Sequence, residues 1–141
     1  MQFKPMQYFI RWLTLLVLVG STGAMAATLD VLVDRDNNPG TGCTVTTANG
    51  AFSGVEQVFT TTIDTSVYPA VITGITRQDC ATPPSTFSAP AAVSPGGWPV
   101  GVGTGTNGYD VVESFFTLSQ QFGQYRVGFV YTDAALGNDV L

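Results

Sequence analysis

Polar and apolar positions alternate with a period of two over several stretches of this chain. A helical period is nearly absent beyond its first quarter. In Val55–Ile63, one face carries Val55, Gln57, Phe59, Thr61 and Ile63, and the other carries Glu56, Val58, Thr60 and Thr62. In Tyr125–Thr132, Tyr125, Val127, Phe129 and Tyr131 oppose Arg126, Gly128, Val130 and Thr132. Successive side chains of a strand point to opposite faces, so the first set of each run is expected in a core. Further β-branched and aromatic runs lie at Thr28–Val33, Ala70–Arg77 and Tyr109–Leu118. Gly, Pro, Asn and Asp punctuate them every ten or so positions, the spacing of an all-β sandwich or barrel. The pattern predicts an all-β fold, either an antiparallel β-sandwich or a barrel.

Between the third and fourth strong runs lies Ala81–Gly108, rich in Pro, Ser, Ala and Gly. Proline lacks a ladder donor, so its TPPS and SPGGWP stretches are not central strands. Phe87 and Ala92-Val93 remain candidates for a short edge strand. The glycine-rich GVGTGTNG (Gly101–Gly108) has no P-loop lysine and no following helix, and reads as a flexible turn rather than a phosphate cradle.

The first 26 residues have a different character. Lys4 and Arg11 precede an apolar stretch, Leu13–Val19, then Gly20-Ser21-Thr22-Gly23 and Ala24-Met25-Ala26. This is the order of a secretory signal peptide, with cleavage expected before Ala27. The apolar core is shorter than the roughly 20 residues a spanning helix needs. A single domain is expected over residues 27–141, secreted, periplasmic or at the cell surface. Either it stands alone or it is one piece of a larger exported protein. Its oligomeric state is left open.

The exported part holds all ten acidic residues but only Arg35, Arg77 and Arg126, with no lysine or histidine, for a net charge of −7. Nucleic acid and anionic lipid require a basic patch and are not expected partners. Neutral ligands and divalent cations fit better. Cys43 and Cys80 form an even pair in an oxidising compartment, so one disulfide is expected.

Missing residue types limit the chemistry. Without histidine there is no Ser-His-Asp or Cys-His nucleophile and no His-ligated zinc or iron. Beyond the leader there is no methionine for a haem axial ligand and no lysine for a Schiff base. Carboxylate pairs remain, with Asp110, Glu56 and Glu113 as candidates for glycoside hydrolysis. In a domain this small such acids more often ligate or face solvent, and no enzyme is expected.

The densest polar motif is DRDNNPGTG (Asp34–Gly42), which follows the apolar Leu29, Val31 and Val33. Asx, Pro and Gly are ordinary turn formers, so a plain surface bend is one reading. The sharper one is a Ca²⁺ loop, in which Asp34, Asp36 and Asn38 offer oxygens to a hard cation. Pro39 stands where an EF-hand needs glycine, and no glutamate occupies the twelfth position, so any site is of another type.

This motif, followed about a dozen residues later by Gly54-Val55-Glu56, resembles the opening of family-9-like carbohydrate-binding modules and DOMON-type extracellular sandwiches. In those domains a DTDNNPATG stretch precedes GADY. Ser114-Phe115-Phe116-Thr117-Leu118, Tyr125–Thr132 and an Asn138-Asp139 turn resemble their closing hairpin. The resemblance implies a jelly-roll fold and a calcium held by Asp34, Asp36 and Glu56. It does not extend to Ala81–Gly108. The paired sugar-clamping tryptophans are missing, as are the haem ligands of cytochrome-like members, so the ligand does not carry over with the fold. Trp98, between Gly97 and Pro99, is the one tryptophan beyond the leader. It is either a platform for a sugar ring or a lid on the core. Together these features predict a non-catalytic binding or adhesion module with a structural calcium and a neutral glycan or surface partner. The alternative is a purely structural extracellular protein.

Overall fold

The computed structural model describes residues 26–81, 83, 85–93, 100–104, 110–114, 123–134 and 137–140. Among them are eleven strands and no helix: β1 (Ala26–Asp34), β2 (Cys43–Thr47), β3 (Gly50–Val55), β4 (Gln57–Asp64), β5 (Val71–Ala81), β6 (Thr86–Phe87), β7 (Ala91–Ala92), β8 (Val100–Thr104), β9 (Asp110–Ser114), β10 (Arg126–Asp133) and β11 (Gly137–Val140). The all-β class expected from the alternation holds.

The main sheet is antiparallel, with strand order β11-β10-β1-β4-β5-β6 and β7 also on β5. Its first strand is central: β1 pairs with β10 on one side and β4 on the other. That position explains why Val31, Leu32 and Val33 are consecutive buried residues, since a central strand is covered on both faces. On one face, Ala27, Val31, Val33, Phe59 and Ile63 pack with Val127 and Tyr131, and Val93 and Val112 lie against them. On the other, Leu32 and Val58 pack against Val45, Phe52 and Val55 of the separate β2–β3 hairpin. Full burial of each such aliphatic side chain stabilises the fold by about 1.5–3 kcal/mol.

The disulfide joins Cys43 to Cys80 with Cα atoms 5.7 Å apart, tying the start of β2 to the end of β5. Closing a loop with a sequence separation of 37 is worth about 4 kcal/mol on the chain-entropy model.

Several expectations need correction. The Val55–Ile63 run is two strands with a bend at Glu56. Its expected core face is buried at Phe59, Thr61 and Ile63, but Val58 on the opposite face is buried too, under the hairpin. Tyr125 and Phe129, expected in the core, are 59% and 38% exposed. Tyr125 precedes β10, and among the described residues β11 flanks β10 only from Val130 onward. The start of GVGTGTNG is no turn, because Gly101–Thr104 belongs to β8 and pairs with β9. Asn138 and Asp139 lie within β11 rather than forming a turn. The edge strand expected at Phe87 and Ala92-Val93 exists as β6 and β7, with the Val93 N–H donating to Ile75 O at 2.9 Å. Residues 1–25, which carry the leader motifs, and Trp98 lie outside the described residues.

Candidate metal centre

β1 delivers Asp34 at its last position, on the face that the β2–β3 hairpin covers, and leaves its side chain wholly buried. The loop that follows folds on itself through its own Asx groups. The Asn38 N–H donates to Asp34 Oδ1 (3.2 Å) and Asp36 Oδ1 (3.0 Å). The Gly40 N–H donates to Asn38 Oδ1 at 3.0 Å, an Asx turn. Asn37 takes a left-handed conformation, φ 53°, as Asn does more readily than most residues.

Two glycines let this loop lie directly on β3. Gly54 has φ +84°, and a Cβ there would stand 2.6 Å from Asn38 O and 2.9 Å from Asp34 Oδ2. Gly42 has φ +63°, and its Cβ would meet the Gly54 and Val55 backbone at 2.7–2.8 Å. No other residue type fits either place without displacing the loop.

Glu56 closes the cluster from the bend between β3 and β4. Its backbone is held at both ends: its N–H donates to Val33 O (3.0 Å), and its carbonyl accepts from the Cys80 N–H (2.8 Å). The disulfide therefore anchors this bend from β5, while Cys43 pairs with Val55 beside it. The Glu56 side chain accepts from the Arg35 N–H at 2.7 Å through Oε2.

As a result, Asp34, Asp36 and Glu56 each place a carboxylate oxygen within 4.8 Å of the others. The three acids grade from buried through half-buried to exposed, so the cluster opens to solvent on the Asp36 side. Thr41 Oγ1 stands among them, 3.1 Å from both Asp36 oxygens, 3.2 Å from Glu56 Oε1 and 2.9 Å from Asn38 O. A hydroxyl carries one proton, so it can donate to only one of these four acceptors at a time. The centre is rich in oxygen and short of hydrogen.

A positive group, Arg126, reaches it. Asp34 and Arg126 are direct cross-strand partners of β1 and β10, and Arg126 Nη2 is 3.0 Å from Asp34 Oδ2. The same Nη2 donates to Ser53 O, and the guanidinium sits 4.3 Å over the Phe52 ring. Next to it, the Asn37 side-chain amide donates to Gln124 Oε1 at 3.3 Å.

Of the expected ligands, Asp34, Asp36 and Glu56 converge. Asn38 is in the same loop, and its side-chain oxygen accepts the Gly40 N–H. Thr41 and Arg126 were not anticipated. Arg126 could be found only from the β1–β10 register, and Thr41 only from the loop's fold. Among the acids outside the cluster, Asp30 and Asp64 are shifted in opposite directions. Asp30, four residues before Asp34 in β1, has its pKa raised by burial, against which the Thr60 hydroxyl acts. Asp64 is held below the usual range by the Ser66 hydroxyl and N–H.

No family model, curated protein or solved structure matches this chain.

Proposed function

We propose that this protein is an exported, non-catalytic binding or adhesion module whose β1–β2 loop holds a structural Ca²⁺. The observation that carries the reading is the convergence of Asp34, Asp36 and Glu56 from two separate strand ends onto one oxygen-rich point. Like-charged carboxylates this close repel one another, and a hard divalent cation with six to eight oxygen ligands relieves that repulsion. The Thr41 hydroxyl, within 3.2 Å of Asp36 and Glu56 oxygens, is a neutral oxygen placed to help complete the shell. Such a cation would fasten the end of β1 to the β3–β4 bend, beside the disulfide.

Export is supported by the leader motif and by the disulfide. Among the described residues no helix is long and apolar enough to cross a membrane. A neutral glycan is the ligand class that suits residues 27–141, with a net charge of −7 and no lysine or histidine, and Trp98 is its proposed stacking platform.

Two assays test these two parts. Melting in about 10 mM CaCl2 against EDTA should show stabilisation of about 1–3 kcal/mol for a site of submillimolar to millimolar affinity. An identical melting temperature in both would remove the calcium. A glycan array should show binding that Trp98→Ala abolishes, whereas silence on every glycan favours a purely structural extracellular role.

A further inference from the structure

Resting on the metal reading above, we infer that Arg126 is the resident counter-ion of the Asp34–Asp36–Glu56 cluster and that it competes with the divalent cation for Asp34. The pairing is electrostatic but incompletely hydrogen-bonded. Asp34 is wholly buried, and its Oδ2 lies 3.0 Å from Arg126 Nη2, yet this oxygen accepts no hydrogen bond. Arg126 Nε is likewise buried without an acceptor. A buried carboxylate oxygen left in that state has an unused lone pair in a place where desolvation makes this expensive. A cation held by the three acids would share Asp34 with this guanidinium.

Arg126 is poorly free to leave when the metal arrives. Its Nη2 is bonded to Ser53 O, its guanidinium rests on the Phe52 ring, and its strand is in register with β1. The positive charge therefore stays near the site and opposes the incoming one. Unlike the metal, it cannot be removed by chelation. Its presence keeps the apo cluster from carrying three uncompensated charges and weakens the cluster's hold on the metal. Arg126 thus sets the affinity rather than ligating.

The test is calcium titration calorimetry on protein secreted from its full-length gene, comparing wild type with R126Q, R126K and R77Q. Arg77 pairs with Asp79 on an exposed surface, so R77Q makes the same change in net charge without touching the cluster. R126Q should tighten calcium binding by about tenfold, since it removes a unit charge a few ångströms from a divalent ion. R77Q and R126K should stay within about twofold of wild type, charge being kept locally in the second and changed only remotely in the first. Because R126Q also loses the Ser53 bond and could misfold, a second reading uses wild type alone. The Arg126 Nε–Hε resonance should shift on calcium saturation, while that of Arg77 stays in place.

Binding in wild type with R126Q unchanged or weaker, or with a static Arg126 resonance, overturns the counter-ion and leaves the calcium site standing. No binding in wild type or in R126Q overturns both.

Discussion

At Gly54 one added carbon would reach into the candidate site. Its positive φ and the 2.6 and 2.9 Å approaches to Asn38 O and Asp34 Oδ2 leave no room for a methyl. Gly54→Ala should destabilise the protein by about 2–4 kcal/mol through strain and displacement of the loop. Urea denaturation measures this, and a loss under about 0.5 kcal/mol would mean that the loop does not rest on β3 as described. Asp30 acts in the opposite sense. Burial raises its folded pKa above the ordinary 3.8, so the folded state holds the proton more tightly than the unfolded chain. Stability from this residue is therefore greatest at pH values below 3.8 and falls as pH rises from there through the raised folded value. Asp30→Asn should make the protein more stable at pH 7 and flatten that part of the stability–pH curve. A variant less stable at pH 7, with the acid-side slope intact, would show that the charge is welcome there. At this scale the acids were legible, because Asx spacing after an apolar run can be read along a chain. Arg126 was not, because its partnership with Asp34 exists only across a sheet.

Strands with period-two alternation and large side chains were located from the pattern, with ends shifted by a few residues. β8 was missed because Gly101 and Gly103 give no alternation, and its pairing with β9 is a backbone matter. The β2–β3 hairpin was missed because Thr44, Thr46 and Ser53 show little apolar period, although Val45, Phe52 and Val55 pack on Leu32 and Val58. The bend at Glu56 was invisible for a related reason: a single residue that leaves the ladder does not disturb the count of apolar positions. That bend aims Glu56 at Asp36, so the least legible element boundary is the one that makes the site. Glu56→Gln keeps the shape of the side chain and its acceptor for the Arg35 N–H but removes one of the three charges. In calcium-free buffer it should match or exceed the wild-type melting temperature, because repulsion within the cluster is reduced. A fall of more than about 1 kcal/mol would indicate that the ionised form is already satisfied by the protein alone.

For the whole molecule, an acidic chain with few charged residues is held, among the described residues, by three small core clusters spread over both faces of one sheet and by a single cross-link. Cys43→Ser with Cys80→Ser should cost about 4 kcal/mol, a large share of the 5–15 kcal/mol typical of a domain. Calcium should recover part of this loss if both devices fasten the same junction. The class of fold and the disulfide followed from alternation and cysteine count. The layering did not, since nothing in the chain says which hairpin covers which face. Equilibrium dialysis against calcium probes the junction of β1, β3 and β4. One ion per chain is expected at millimolar calcium, and none in the Asp36→Asn, Glu56→Gln double variant. Wild-type protein that retains no calcium, or a double variant that retains as much as wild type, would contradict that expectation.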